Sequence, residues 1–247
     1  PKAGDMMLDG NLSSYFNLFK QKINLIAHGY VKRQNPSEFL NFYHSNHFRW
    51  QRNFAAMYKT RLGGTFAIPT LGFDFNLSVD NLTDMVYFDK EALPQQHNGN
   101  IQVVAANLKQ DFRVGSFTLE NNVVYQLSSN QSVLPLPEIA LYHNLYYHGL
   151  WFKVLSMQIG ADVRYHTAYY APSYMPATGQ FFVQDKMKVG NYPVMNVYIN
   201  AHLKRTRFFV QYYHLNQLFM KGDYYSMPYY PINPATLKIG LTWNFYD

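Results

Sequence analysis

The chain has 247 residues, with 21 Lys and Arg against 15 Asp and Glu, a net charge of +6 and no cysteine. This length fits one large sandwich or one barrel as a single domain over 1–247, and the lack of any run of about 18 apolar residues excludes a transmembrane helix. Nucleic-acid binding is disfavoured, because nearly half of the basic residues fall in expected short turns rather than on one helix or stripe.

Apolar and polar residues alternate along most of the chain, which predicts eleven strands and no sustained helix. The predicted spans are 10–18, 22–33, 39–57, 63–88, 99–111, 115–128, 137–149, 152–170, 191–204, 207–220 and 235–246. The last strand is the most regular, since Leu237, Ile239, Leu241 and Trp243 alternate without exception with polar residues or glycine. A period of two over such a length indicates a strand with one apolar and one polar face.

The predicted connections alternate in length. Short ones lie near 18–22, 58–63, 111–115, 148–152 and 204–207. Longer ones lie near 88–99, 128–137, 170–191 and 220–235, with a shorter exception near 33–39. Outer-membrane barrels have short periplasmic turns and longer external loops. We therefore expect the final strand to end in the periplasm and the first visible strand to run in the same direction.

These patterns predict an all-β fold, a transmembrane antiparallel up-and-down β-barrel in a bacterial outer membrane. Aromatic residues make up 18% of the chain, including 22 Tyr and 19 Phe, and barrels place such residues in girdles at the membrane interfaces. Single-chain bacterial barrels normally have an even number of strands. Eleven is odd, so we expect at least one further strand before residue 10 and a processed or partial chain, since Pro1 is neither an initiating Met nor part of a signal peptide.

The alternation assigns side chains to two sides of the expected wall. The residues predicted to line the lumen are Asn24, His28, Arg49, Gln51, Asp74, Asn76, Glu120, Asn122, Asp162, Arg164, Asn200, His202 and Lys238. The residues predicted to face lipid are Met157, Ile159, Val197, Ile199, Leu237, Ile239, Leu241 and Trp243. The lumen set has two interpretations: a mixed-charge pore lining, or a hydrogen-bonded plug if the barrel has only about twelve strands.

An enzymatic interpretation rests on Asp162, Arg164 and His166, which share one face at alternate positions, with His143, His148, His202 and His214 as further candidates. No HExxH, GxSxG or CxxC pattern accompanies them. Mixed charges on the inner face of a barrel usually form ion-pair ladders. We therefore expect no catalytic residue, cofactor or metal.

Two long segments, 170–191 and 220–235, are rich in tyrosine, methionine and proline. Their residues, with Tyr169 at the edge, include Tyr170, Tyr174, Met175, Pro176, Tyr224, Tyr225, Met227, Tyr229 and Tyr230. Tyrosine-rich loops can stack on sugars or on a partner protein. The alternative is an extension of the aromatic girdle that folds over the barrel mouth.

Three stretches, 163–184, 190–217 and 230–247, together resemble the putative porin family of Bacteroidetes outer membranes, and 60–75 and 139–149 are compatible with it. Members of that family are longer, so the resemblance places this chain in their C-terminal part, mostly over 40–247. It implies an outer-membrane β-barrel and brings no catalytic residues. The last strand also resembles the signal read by barrel-assembly machinery, although Asp247 follows Tyr246 where such signals end on an aromatic residue.

The predicted function is an outer-membrane porin for passive diffusion of small hydrophilic solutes, with membrane lipid and those solutes as partners and no nucleic acid. The alternatives are a non-conducting structural barrel with protein partners in an envelope complex, and a soluble β-sandwich binding protein.

A basic ring is a further expectation, because the predicted periplasmic turns hold or flank many cations and only Asp111 among acidic residues. Its members are Lys20, Lys22, Lys59, Arg61, Lys109, Arg113, Lys153, Lys204, Arg205 and Arg207. Such a ring would meet anionic phospholipid headgroups.

Overall fold

The computed structural model describes residues 4–245, and its main element is one antiparallel sheet of eleven strands, each paired with the next in sequence. The strands are β1 Met6–Leu18, β2 Gln21–Gln34, β3 Met57–Ile68, β4 Phe73–Thr83, β5 Asn100–Val114, β6 Phe117–Ser128, β7 Ile139–Trp151, β8 Leu155–His166, β9 Val194–Leu203, β10 Thr206–Tyr213 and β11 Thr236–Trp243. The predicted all-β, up-and-down arrangement is confirmed.

Smaller elements lie in the connections between these strands. Four two-stranded hairpins join Phe42–His44 to Arg49–Gln51, Val86–Phe88 to Pro94–Gln96, Ser173–Met175 to Gln180–Phe182, and Tyr225–Met227 to Tyr230–Pro231. One α-helical turn spans Glu38–Asn41, and 3-10 turns span Pro69–Leu71 and Leu215–Leu218. Within residues 4–245, no helix is both long and apolar enough to span a bilayer.

The sheet has two free edges among the described residues. Strand β1 pairs with β2 alone, and β11 pairs with β10 alone. The last strand thus pairs with the strand before it, as the predicted up-and-down order requires. The sheet does not close on itself within the part of the chain that the structure describes.

Two of the predicted strands are wrong, although the number of strands agrees. The segment 39–57 is not a strand of the large sheet and instead forms most of a long connection. The segment 63–88 is not one strand, because it contains the end of β3, all of β4 and a short hairpin strand. The short connection expected near 58–63 is wrong as well, because this segment lies inside β3. Gly63 leaves room for the His28 ring, since a Cβ there would lie 2.6 Å from that ring and 3.1 Å from the Leu77 carbonyl oxygen. The turn comes later, at Pro69–Leu71, where Gly72 has a φ of 63°.

With these corrections, short and long connections alternate without exception. The short ones are 19–20, 69–72, 115–116, 152–154 and 204–205, and the long ones are 35–56, 84–99, 129–138, 167–193 and 214–235. All short turns therefore lie at one end of the antiparallel strands and all long connections at the other. We call these the short-turn end and the loop end.

Cross-strand partners in an antiparallel sheet point to the same face, so the register defines two faces. The charged strand residues on one face, which we call the polar face, are Asp9, Lys22, Lys32, Lys59, Arg61, Asp74, Asp80, Lys109, Asp111, Arg113, Glu120, Asp162, Arg164, Arg207 and Lys238. Along the same eleven strands the opposite, apolar face carries one charged residue, Arg33, near the loop end.

The apolar face is not buried by the rest of the chain. Leu8, Leu62 and Ile239 are 75%, 70% and 72% exposed. An apolar surface that extends over a whole sheet marks an interaction with membrane or protein. The eleven-stranded sheet therefore does not enclose a conventional hydrophobic core.

Much of the buried apolar volume lies in the long connections instead. The loop layer, which we define as 35–56, 84–99, 167–193 and 214–235, contains the buried residues Trp50, Phe88, Ala92, Ala171, Val183, Val189 and Tyr192. The four connections contact one another in series. Trp50 stacks edge-on against Phe88 at 6.0 Å, the Val183 amide donates to the Phe88 carbonyl at 3.0 Å, and Tyr174 contacts Tyr230 at 6.5 Å.

Candidate functional site

Most residues predicted to line the lumen share the polar face. They are Asn24, His28, Asp74, Asn76, Glu120, Asn122, Asp162, Arg164, Asn200, His202 and Lys238. Arg49 and Gln51 do not, because the strand expected over 39–57 is absent. Both are exposed and lie in the short hairpin of the loop layer. That segment carries alternating residues because its aromatic side chains pack around Trp50, not because it belongs to the wall.

All eight residues predicted to face lipid share the apolar face. Ile199, Leu241 and Trp243 are 43%, 58% and 58% exposed. Met157 is the exception in exposure, at 8%. It stands opposite Gly149, and the Tyr147 ring lies directly over that glycine.

A row of amides and carboxylates crosses four strands of the polar face. Glu120, Asn144, Asp162 and Asn196 are successive cross-strand partners from β6 to β9. The Asn144 amide donates to the Glu120 carboxylate at 3.0 Å, and the Asn196 amide donates to the Asp162 carboxylate at 2.8 Å. Because Asn144, Asp162 and Asn196 are buried, these bonds satisfy polar groups that would otherwise be costly to bury.

Tyr198 extends this row across a neighbouring strand. Its hydroxyl donates to the Asn144 side-chain oxygen at 2.9 Å, and β8 lies between the two residues. The side chain can cross β8 because Gly160 is its direct partner, where a Cβ would lie 2.7 Å from both the Tyr198 hydroxyl and the Tyr146 Cβ.

A second polar cluster lies near the loop end, between β2 and β4. The Arg61 guanidinium donates two hydrogen bonds to the buried Asp80 carboxylate, at 2.8 and 2.7 Å, and the Lys59 ammonium lies 3.5 Å from it. Both cations also lie 5.8 Å from the Tyr30 ring. This placement corrects the expected basic ring, because Lys59 and Arg61 are within β3 and not in a short turn.

The other members of the expected ring do lie in or beside the short turns, or on the polar face near them. They are Lys20, Lys22, Lys109, Arg113, Lys153, Lys204, Arg205 and Arg207. Two carboxylates accompany them, since Asp74 is the direct partner of Lys109 and Asp111 lies 3.8 Å from Arg113. The short-turn end is thus basic but less so than the sequence indicated.

A pocket of about 520 Å³ lies between the polar face and the loop layer. On the side of the sheet, the pocket is lined by Asn122, Tyr142, Arg164 and Val194. These four residues are successive cross-strand partners, and they lie two residues closer to the loop end than the row of amides and carboxylates. Its loop side includes Gly190, Tyr192, Asp223, Tyr224, Tyr225 and Ile232. The segments 167–193 and 214–235 therefore fold over the polar face at the loop end.

His214 anchors the loop side of this pocket. It is fully buried, its Nε2 lies 2.9 Å from the Tyr192 hydroxyl, and its Nδ1 lies 2.9 Å from the Asn233 carbonyl oxygen. Its ring also contacts Tyr192 at 5.4 Å and Tyr224 at 5.1 Å. Burial, and to a lesser degree the nearby Tyr224, raise the pKa of Tyr192. The phenol is protonated at physiological pH even at its ordinary pKa, and the raised pKa lets it keep its hydrogen bond in more alkaline solution.

The structure brings together two of the candidate histidines, His148 and His202, which line one pocket of the polar face, where Ser156 is the direct partner of His202. His166 lines the other pocket beside Arg164, and His143 and His214 lie apart from both of these histidines. His143 lies on the apolar face and bonds Asn121 at 2.7 Å, His148 bonds Ser156 at 3.1 Å, and His214 is occupied as described. Among residues 4–245 there is no group of three His, Asp or Glu side chains arranged to hold a metal ion.

Sequence reasoning missed part of this pocket. Tyr142 occupies a polar-face position of β7, which the alternation in that strand would have identified. Tyr192 and Asp223 had no such signal, because they belong to connections whose path depends on packing around His214 and on the adjacent wall.

A sequence model of the Putative porin family matches residues 1–247 of this chain. The predicted family resemblance is thereby confirmed, over a wider range than the 40–247 expected. No curated protein matches the chain.

Proposed function

The chain belongs to the Putative porin family, and on that premise we propose that it forms part of an outer-membrane β-barrel wall. Small hydrophilic solutes would diffuse passively through the water-filled lumen of that barrel. The porin-like role follows from the family. The passive mechanism and the embedding in the outer membrane are our proposal.

The observation that carries the proposal is the separation of charge between the two faces of the sheet. The polar face bears charges of both signs along nearly its whole width, whereas the apolar face has Arg33 alone among its strand residues. A charge at the middle of a bilayer on the lipid side of a barrel strand costs about 2–4 kcal/mol. A sheet with this distribution is suited to have lipid on one side and water on the other.

Closure of the wall is the second part of the proposal. Strands β1 and β11 each have one unpaired edge in the described residues, and unpaired backbone groups are not tolerated in hydrocarbon. We propose that an odd number of further strands from the same polypeptide lies between these edges. The total would then be even, as in other single-chain bacterial barrels.

The alternating connections support one orientation. The short turns would face the periplasm and the loop layer the exterior, which places the end of β11 on the periplasmic side. The basic side chains near the short turns, such as Lys153 and Arg205, would then meet phospholipid headgroups of the inner leaflet.

Liposome swelling tests the proposed diffusion. Vesicles that contain the purified protein should swell in isotonic solutions of small neutral solutes, at rates that fall as the solute becomes larger. Equal swelling with and without correctly inserted protein would contradict the proposal.

A non-conducting structural barrel is the second candidate, and the loop layer is the observation that favours it. Four long connections contact one another at the loop end of the sheet, and two of them cover part of the polar face. If this layer seals the lumen, inserted protein will give no swelling. Deletion of the 214–235 connection with a short turn in its place would then open a path for solute.

A further inference from the structure

We propose that the pocket between the polar face and the loop layer is a binding site for a short neutral saccharide. The inference deepens the proposed function, on which it rests, because it names one class of solute that the barrel would collect at its external end. Its volume of about 520 Å³ falls within the range of about 300–1,000 Å³ that is usual for small-molecule sites.

Several aromatic rings are held in fixed positions around this pocket. Tyr142, Tyr192, Tyr224 and Tyr225 line the pocket. Tyr192 and Tyr224 pack against each other at 5.7 Å and against buried His214, and Gln217 donates to the Tyr224 hydroxyl at 2.7 Å. The C–H-rich face of a sugar ring carries partial positive charge and packs against the electron-rich face of an aromatic ring. Rings that are already fixed lose little entropy when a ligand binds.

Hydrogen-bonding groups lie beside these rings. The Asn122 side-chain oxygen is buried and has no hydrogen-bond partner among the described residues. The exposed Asp223 carboxylate can accept from a ligand hydroxyl, and so can the Asn122 oxygen once its amide rotates toward the pocket. The Arg164 side chain is 72% exposed and lies 5.6 Å from the Tyr142 ring, so it can donate to ligand oxygens. A hydroxyl both donates and accepts, and therefore suits all three groups.

The charge of the pocket lining favours a neutral ligand over an anion. Arg164 is the one Lys or Arg in the pocket lining, and Asp223 offsets it. The Asp162 carboxylate also lies 4.0 Å from the Arg164 guanidinium. Glu120 adds a second negative charge in the same row of amides and carboxylates as Asp162. A phosphate or carboxylate would meet no surplus of positive charge there, whereas a saccharide requires none.

Equilibrium binding to the purified protein in detergent tests the proposal, with saturation-transfer NMR as the readout. The probes are neutral trisaccharides of glucose, galactose and xylose, with glutamate as a charged amino-acid comparison. We expect at least one trisaccharide to bind and glutamate not to bind. Arg164→Gln should weaken that binding about fivefold and Tyr224→Ala at least about tenfold, the latter a loss of about 1.4 kcal/mol or more.

Arg113→Gln is a matched control for Arg164→Gln. Both arginines lie on the polar face beside an aspartate two residues earlier, at 3.8 and 4.0 Å, and both side chains are about equally exposed, at 73% and 72%. Arg113 lies at the short-turn end, away from the pocket, so its substitution should leave binding unchanged. Tyr229→Ala is the control for Tyr224→Ala, because Tyr229 is in the same connection but 69% exposed.

Failure of all three trisaccharides to bind the natural protein would overturn the saccharide site, as would equal losses in Arg164→Gln and Arg113→Gln. Tighter binding of glutamate would assign the pocket to amino acids instead. The binding assay needs no conduction. Absent binding with normal vesicle swelling would therefore refute this inference alone, and binding without swelling would refute the proposed diffusion alone.

Discussion

Neighbouring residues of one strand face different surroundings in this fold, and β9 shows this most simply. Ile199 lies on the apolar face, whereas Asn200 lies on the polar face and donates to Gln158 at 3.1 Å. We predict that Ile199→Arg lowers the free energy of unfolding by about 2–4 kcal/mol if the residue is at the bilayer midplane. Asn200→Arg should cost less. Urea unfolding in lipid vesicles measures both, and equal losses would contradict the assignment of the faces.

The contact of Tyr198 with Asn144 depends on a missing side chain at Gly160. A methyl group there would lie 2.7 Å from the Tyr146 Cβ, which cannot rotate away. We predict that Gly160→Ala costs about 1–3 kcal/mol of stability, as overpacking usually does. Gly10→Ala is the control, because nothing lies within 4 Å of its added methyl group. A similar loss in both variants would show that strand glycine itself, not the crossing tyrosine, determines stability.

At the scale of elements, the loop layer is held by side chains that the wall does not need. Trp50 is 6% exposed, donates from its indole N–H to the Phe39 carbonyl at 2.9 Å, and stacks on Tyr43 at 4.7 Å. We predict that Trp50→Ala lowers the local stability of 35–56 by about 3–5 kcal/mol. Hydrogen exchange should rise there while β3 to β11 stay protected. Phe42→Ala, at an exposed position of the same hairpin, should change neither.

This division explains which elements the sequence could predict. Strands such as β8 and β11 were identifiable because one face must be apolar and the other polar, which forces a period of two. The connection 35–56 has alternating aromatics for another reason, the packing of Phe39, Trp50 and Phe88. Local pattern cannot distinguish these two causes. The same holds for the pocket: Arg164 and Asn122 follow from strand alternation, whereas the position of Tyr192 depends on long-range contacts.

Orientation in the membrane is a property of the whole molecule, and cysteine labelling in intact cells tests it. Single cysteines at Arg113 or Arg205, at the short-turn end, should resist an impermeant maleimide, whereas cysteines at Lys186 or Lys221, in the exposed part of the loop layer, should react. Lys59, in β3, is unsuitable as a marker of the short turns. Reaction of the first pair from outside would invert the orientation and remove the basis for a periplasmic basic rim.

The free edges of β1 and β11 are also a property of the whole molecule. If strands from the same polypeptide fill the gap, protein purified from native membranes should have an intact mass well above the 28.9 kDa of this chain. A mass of 28.9 kDa for a folded, inserted barrel would contradict that account and require pairing of β1 with β11 or with another copy.

Single-channel recording in a planar bilayer tests the central claim, that the polar face lines a conducting lumen. We predict stepwise conductance after insertion of the purified protein, with a reversal potential in a KCl gradient that shifts toward cation selectivity in Asn200→Glu, since Asn200 is an exposed residue of the polar face. The current across the same bilayer before protein is added is the control. A silent bilayer with folded, inserted protein, or a reversal potential that Asn200→Glu leaves unchanged, would contradict the claim.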